Sequence, residues 1–209
     1  MLDPSCPRCP GPVREEDGGW TCTVHGLVPP LWRPRTSSYE AFGEHLQVAD
    51  GFPTYLPWPM PPGWQVTDFG VVGEPGQAQA TVACVSGPTA LDGPVEMMVV
   101  SEEAGTGLGA RCAGTVQSDP GEQIALAKPG AKVRVESLAI PLWPISTHDA
   151  GHELDRSVFA GEAHGRWLWV VLRPASAMLL LADNWMLGDV SGRGAELLEL
   201  PFGGHAPAW

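Results

Sequence analysis

"WQVTDFGVVGEPGQAQATVACVSGPTALDGPVEMMVVSEE", residues 64–103, decides the fold class. It divides into three apolar or alternating runs, 64–73, 78–87 and 94–103, each bounded by glycine or proline. Short runs of this kind, punctuated by turn formers, are strand signals. The short gaps between them predict consecutive antiparallel strands. The pattern continues downstream. In "AKVRVESLAIPLW" (131–143), Val133 and Val135 alternate with Arg134 and Glu136. "SVFAGEAHGRWLWVVLRP" (157–174) reads as a hairpin turning near Gly165, and "SAMLLLADNWML" (176–187) as a further buried strand. Helix signals are sparse. Residues 37–51 form one, with Ser37 and Glu40 matching a capping box, Phe42, His45, Leu46 and Ala49 sharing a face, and Gly51 ending it. Weaker signals lie at 101–113 and 191–199. A βαβ fold needs regular crossover helices, so the expected class is α+β: a mostly antiparallel, β-rich domain with few short helices.

Composition agrees. The chain has 209 residues, 44% of them apolar, with 26 glycines and 22 prolines. That is room for one small module and one ordinary domain of about 100–200 residues. The net charge is −12, from 12 basic and 24 acidic residues. Residues 1–36 carry four of each sign, so the whole excess lies in the remainder. Such a surface repels phosphate backbones. It disfavours nucleic acid as a partner and suits a solvated acidic surface or a basic protein partner. The start "MLDPSCPRCP" has neither the basic nor the apolar region of a secretion leader. No run approaches the roughly 20 apolar residues of a membrane span. The expected location is the cytoplasm, where structural disulfides are disfavoured; five cysteines also cannot all pair.

"CPRCPGPVREEDGGWTCTVHG" (6–26) carries the clearest chemistry. Its spacing is Cys6-x2-Cys9, twelve residues, then Cys22-x2-His25. A two-residue gap places two side chains of one tight turn on the same point. Two such turns supply the four donors that tetrahedral zinc requires. Asp17-Gly18-Gly19 suits a hairpin turn between them, and Gly26 the tight backbone after the second. The expectation is a structural zinc ribbon whose metal ligands are Cys6, Cys9, Cys22 and His25. Four protein donors leave no position for water, so the site is not catalytic. The expected divisions are a zinc-ribbon module at 1–26, a proline-rich linker at 27–36, and the β-rich domain at 37–209. The acidic "REEDGG" loop argues against nucleic-acid contact, although Trp20 could stack on a base.

Other candidates are weaker. "GTGLGAR" (105–111) follows a strand, but its G-x-G-x-G spacing is not a phosphate-loop fingerprint, and Glu102 and Glu103 precede it. It reads as a Gly-rich turn, with an anion site around Arg111 as the alternative. His148, Asp149, His152 and Glu153 could share a helical face, but Gly151 and the residue order favour a solvated loop. His164, at a hairpin turn, and His205 read as exposed. Cys84 reads as a buried, inert thiol; Cys112 follows Arg111, which could lower its pKa. Trp167 and Trp169 share a strand face and read as core, with an aromatic-lined groove as the alternative. "YLPWPMPPGW" (55–64) has four prolines, so Trp58 and Trp64 are expected to lie across the core as a clasp.

The ordered set "SCPRC…W-x-C-x-x-HG", "PWPMPPGW", "GLGAR-x-AG", "AKV", "PLW" and "VFAGEA-x-G-x-WLW" resembles an actinobacterial family of unknown function. The resemblance covers nearly the whole chain. It implies a bacterial, intracellular protein in which Cys6, Cys9, Cys22 and His25 are the ribbon positions, and it carries no catalytic residues. Members have been labelled phosphotransacetylase, for which the residues give no physical support. The sequence therefore favours a non-enzymatic zinc protein that binds a partner protein or a small ligand. The alternatives are an acyl or phosphoryl transferase acting at 105–111 and a nucleic-acid-associated regulator acting through the ribbon.

Overall fold

In a computed structural model of the chain, residues 1–16, 18–89, 93–147, 155–183 and 185–209 are described. Asp17 of the expected hairpin turn lies outside them, as do His148, Asp149, His152 and Glu153. The three runs that open the sequence reading are long antiparallel strands: β7 (Gln65–Glu74), β8 (Gln77–Thr89) and β9 (Gly93–Glu102). Before them come β1 (Leu2–Ser5), β2 (Val13–Glu16), β3 (Gly19–Cys22), β4 (Gly26–Leu27), β5 (Leu31–Pro34), helix α1 (Tyr39–Ala49) and β6 (Tyr55–Pro57). After them come α2 (Leu108–Ala113), α3 (Gly121–Leu126), β10 (Ala131–Val135), β11 (Leu138–Pro144), β12 (Ser157–Ala163), β13 (Arg166–Arg173) and β14 (Met186–Asp189).

Eleven strands form one sheet in the order β1-β5-β7-β8-β9-β13-β12-β11-β10-β14-β6. All neighbours whose pairing is described run antiparallel except β10 and β14. A smaller sheet, β2-β3-β4, belongs to the N-terminal segment. The large sheet curls so that its last strand, β6, packs back over β8 and β9, and the Thr81 hydroxyl of β8 donates to the Pro53 carbonyl just before β6. Register shifts in β7, between Val66 and Asp68 and between Val72 and Gly73, help it bend.

Both faces of the central strands are covered. On the concave side Val66, Phe69, Val85, Met97, Val99, Leu168 and Leu172 meet Tyr55, Leu56, Phe42 of α1 and Leu187 of β14 in the main core. On the convex side Val82, Cys84, Met98, Val100, Trp169 and Val171 lie under Leu108 and Cys112 of α2. This two-sided burial explains why "MMVV" (97–100) is continuously apolar: alternate residues face different cores. The clasp expected of Trp58 and Trp64 has a buried half. Trp64 packs edge-on against Trp185 at 5.1 Å, and its Nε1–H donates to the Pro88 carbonyl at 3.2 Å.

Two local expectations are corrected and a third effect is outweighed. Residues 176–187 are not one strand: Ala175–Asp183 is a 3-10 helix, and only Met186–Asp189 pairs as β14. The run holds alanine and leucine but no β-branched residue, so its apolarity carried no strand preference. Ser38, not Ser37, caps α1 by accepting from the Ala41 N–H at 3.2 Å; Ser37 instead donates to the Thr67 carbonyl. Arg111 does lower the Cys112 thiol, but burial outweighs it. Cys112 is buried under the sheet's convex face, and burial pushes its thiol up to about 12.

The N-terminal segment joins the large sheet. β1 pairs with β5, and β5 pairs with β7, so the proline-rich stretch 27–36 contributes a strand. Among the described residues no helix is long and apolar enough to cross a membrane.

Candidate metal centre and its docking loop

Cys6, Cys9, Cys22 and His25 converge, with their donor atoms all within 4.8 Å of one another. The first tight turn presents Cys6 and Cys9. The second, at the end of β3, presents Cys22 and His25. Between them β2 and β3 pair from Val13↔Cys22 to Glu16↔Gly19, which folds the twelve-residue gap back on itself. The Cys9 and Cys22 sulfurs are 3.8 Å apart. His25 Nδ1 lies 3.5 Å from the Cys6 sulfur and 3.7 Å from that of Cys22. Tetrahedral zinc, with Zn–S of about 2.3 Å and Zn–N of about 2.0–2.1 Å, demands S–S edges of about 3.8 Å and S–N edges of about 3.6 Å. The donor set therefore fits a single metal ion.

Backbone N–H groups support the sulfurs. Arg8 N–H points at Cys6 Sγ and Val24 N–H at Cys22 Sγ, each at 3.4 Å. The Val24 and His25 N–H groups hold the Cys22 thiol down at about 6, whereas burial pushes Cys6 up to about 11. A cation at the centre favours the thiolate at both. Cys6 and Cys22 are buried, Cys9 and His25 half-buried.

The family model for DUF6758, a family of unknown function, matches residues 1–209. The chain belongs to this family. No curated protein and no solved structure matches it. The Cys/His segment of this DUF6758 chain contacts the large sheet and the loop beside it.

Those contacts run through the loop that was a candidate phosphate cradle. Arg8, between the two cysteines of the first turn, donates to the carbonyls of Gly105 (2.6 Å) and Thr106 (3.2 Å). Arg111 of α2 donates in return to the Cys6 carbonyl. Trp20 of β3 packs edge-on against Trp32 of β5 at 5.4 Å, and its Nε1–H reaches Glu74 at 2.9 Å. Trp20 is therefore a docking residue in this DUF6758 chain.

The loop's own anion is internal. The Leu108 and Gly109 N–H groups, which a bound phosphate would use, donate to Glu102 Oε2 at 2.9 and 3.1 Å. The Trp169 Nε1–H donates to Glu102 Oε1 at 2.7 Å. Glu102 is fully buried. Its carboxylate fills the place an external anion would take, and Arg111 is turned toward Cys6. A Cβ at Gly109 would run into the Trp169 indole, which explains that glycine. The other candidates stand as expected in part. Cys84 is buried, and burial raises its thiol well above the usual range. His164 and His205 are exposed. Trp169 is core and Trp167 packs partly against the same cluster.

Sequence reading missed the roles of Glu102, Arg8 and Trp209. Glu102 was visible only as a charge hostile to phosphate, not as the ligand of its own loop. Trp209 lies under the guanidinium groups of Arg33 (4.1 Å) and Arg111 (4.9 Å) and donates to Asp68 at 3.0 Å. No spacing rule links these residues, which are brought together from opposite ends of the chain.

Proposed function

We propose that Cys6, Cys9, Cys22 and His25 hold zinc in a closed structural site of zinc-ribbon type, and that this DUF6758 protein is a non-enzymatic binding protein. The observation that carries the proposal is the donor geometry: all four donor atoms lie within 4.8 Å of one another, and the Cys9–Cys22, Cys6–His25 and Cys22–His25 separations of 3.5–3.8 Å match edges of a zinc tetrahedron. Three sulfurs and one imidazole suit a soft, tetrahedral ion, and their closeness leaves room for one ion rather than a cluster. With four protein ligands the metal does no chemistry on substrate. The transferase reading loses its anion site to Glu102, and the nucleic-acid reading loses Trp20 to Trp32. X-ray absorption at the zinc edge of the purified protein tests this. The expected shell is three sulfurs at about 2.3 Å and one nitrogen at about 2.0–2.1 Å; an oxygen-rich shell contradicts it.

For the partner, the cleft beside "PWPMPPGW" is the surface we favour. It is lined by Trp58, Met60, Trp64 and Leu200, with Glu196 and Glu199 at its rim. Arg193 already lies 4.5 Å above the Trp58 ring while paired with Glu196. That arrangement shows how a cation is satisfied here, by an aromatic face and a carboxylate together. An extended, basic segment of a partner protein fits this surface and the overall charge of −12. Binding of a lysine-rich peptide that weakens with salt and with Glu199→Lys supports it; equal binding of an acidic peptide refutes it.

A further inference from the structure

A second pocket opens at one end of the curled sheet and shares no lining residue with the Cys/His centre. It holds about 300 Å³ and is lined chiefly by polar side chains: Tyr55 of β6, Glu136 after β10, His164 at the β12–β13 turn, Arg166 of β13 and Asp189 of β14. These five come from strands and turns far apart in sequence.

Tight turns frame it. Among the described residues, three that are not glycine have positive φ: Asp50 (45°), Glu136 (53°) and His164 (53°). Two line this pocket, and the third precedes Gly51, which also lines it. Glu136 and His164 begin the two-residue turns of the β10–β11 and β12–β13 hairpins, where tight turns require positive φ, and Asp50 is the C-cap of α1.

Among the described residues Arg166 is oriented but unpaired, and Asp189 is oriented by hydrogen bonds to its own loop. Arg166 lies over the Phe52 ring at 4.5 Å, which fixes its plane, yet its buried Nε has no hydrogen-bond partner. Among the described residues it makes no ion pair, although acidic groups outnumber basic ones by two to one. Asp189 is held rigidly: Oδ1 accepts from the N–H groups of Thr54 (3.1 Å) and Ser191 (3.0 Å), and Oδ2 from the Ser191 hydroxyl (3.0 Å). The Tyr55 phenol is pushed up to about 12, first by burial and then by the Asp189 and Glu136 charges, so it stays a donor.

We propose that this pocket binds a small free zwitterion of the α-amino acid class, with Arg166 taking the carboxylate and Glu136 and Asp189 taking the ammonium group. An anion alone meets two carboxylates, and a cation alone meets the guanidinium; a molecule bearing both satisfies each side. The volume lies at the small end of ligand pockets, which run from about 300 Å³ upward. The exposed His164 and the Tyr55 hydroxyl supply further polar contacts at the rim.

The test is a titration of the isotope-labelled full chain with L-alanine, followed by amide NMR shifts, with acetate and methylammonium as half-ligands. Saturable shifts confined to residues near 51–55, 136, 164–166 and 189, with each half-ligand at least about tenfold weaker, support the proposal. Arg166→Ala should weaken alanine binding by about 10–100-fold, the worth of a charge-assisted hydrogen bond. Glu136→Gln, at an exposed turn, is the check if Arg166→Ala does not fold; it should weaken alanine but not acetate. No saturable shift with alanine, shifts elsewhere, or acetate binding as well as alanine would overturn it.

Discussion

Glu102 sits between two opposing demands. Its three donors, Leu108 N–H, Gly109 N–H and Trp169 Nε1–H, favour the ionised carboxylate, while complete burial disfavours it. Burial wins, and the pKa rises from an ordinary 4.5 to about 7. Folded protein therefore keeps this proton at pH values where unfolded chain has released it. Its contribution to stability is complete below about 4.5 and is lost as the pH rises through about 7. Replacing Glu102 by Gln leaves an amide N–H facing donors and should cost about 1–3 kcal/mol. In urea unfolding at several pH values, the stability gap between wild type and Glu102→Gln should narrow from pH 5 to pH 8; a widening gap would contradict this assignment. Nothing in "SEEAGTGLGAR" reveals that the glutamate turns inward. The spacing does show a carboxylate six residues before a glycine-rich helix start, which is what the geometry uses.

At the scale of elements, the loop 105–111 and α2 latch the N-terminal segment to the sheet. Arg8 reaches from the first cysteine turn to the loop, and Arg111 reaches from α2 back to Cys6. Charged hydrogen bonds of this kind contribute about 1.5–3 kcal/mol each. The double variant Arg8→Ala/Arg111→Ala should speed amide exchange over residues 6–27 by about tenfold or more while β8 and β9 stay protected. Uniform loss of protection would show instead that the segment and sheet unfold together. The cysteine turns were legible because ligand spacing is a local constraint. The latch was not, because Arg8 and Thr106 are 98 residues apart. The 3-10 helix at Ala175–Asp183 escaped for another reason: apolarity alone does not distinguish a buried strand from a buried helical turn.

On the scale of the whole molecule, one curled sheet serves two cores. Phe69 stands at the centre of the concave one, in edge contact with Phe42 at 4.9 Å and His45 at 5.4 Å. Phe69→Ala should lower stability by about 3–5 kcal/mol in urea unfolding, the usual cost of removing a buried phenylalanine; a loss under about 1 kcal/mol would mean that the core is loosely packed there. The strands β7, β8 and β9 could be read from their Gly- and Pro-bounded runs. The curl could not: with both faces buried, the apolar pattern does not say which face is concave, and the return of β6 over β8 and β9 is a long-range event. The Cys/His segment is anchored to this sheet through β1 and β5, so a metal bound there would be linked to the fold of the larger body. The most direct test of that account is elemental analysis of purified wild type and Cys22→Ser. One zinc per chain in the wild type, lost in the variant together with a lower melting temperature, is the predicted result. A wild-type protein free of zinc, with Cys6, Cys9 and Cys22 titrating as ordinary thiols, would contradict it.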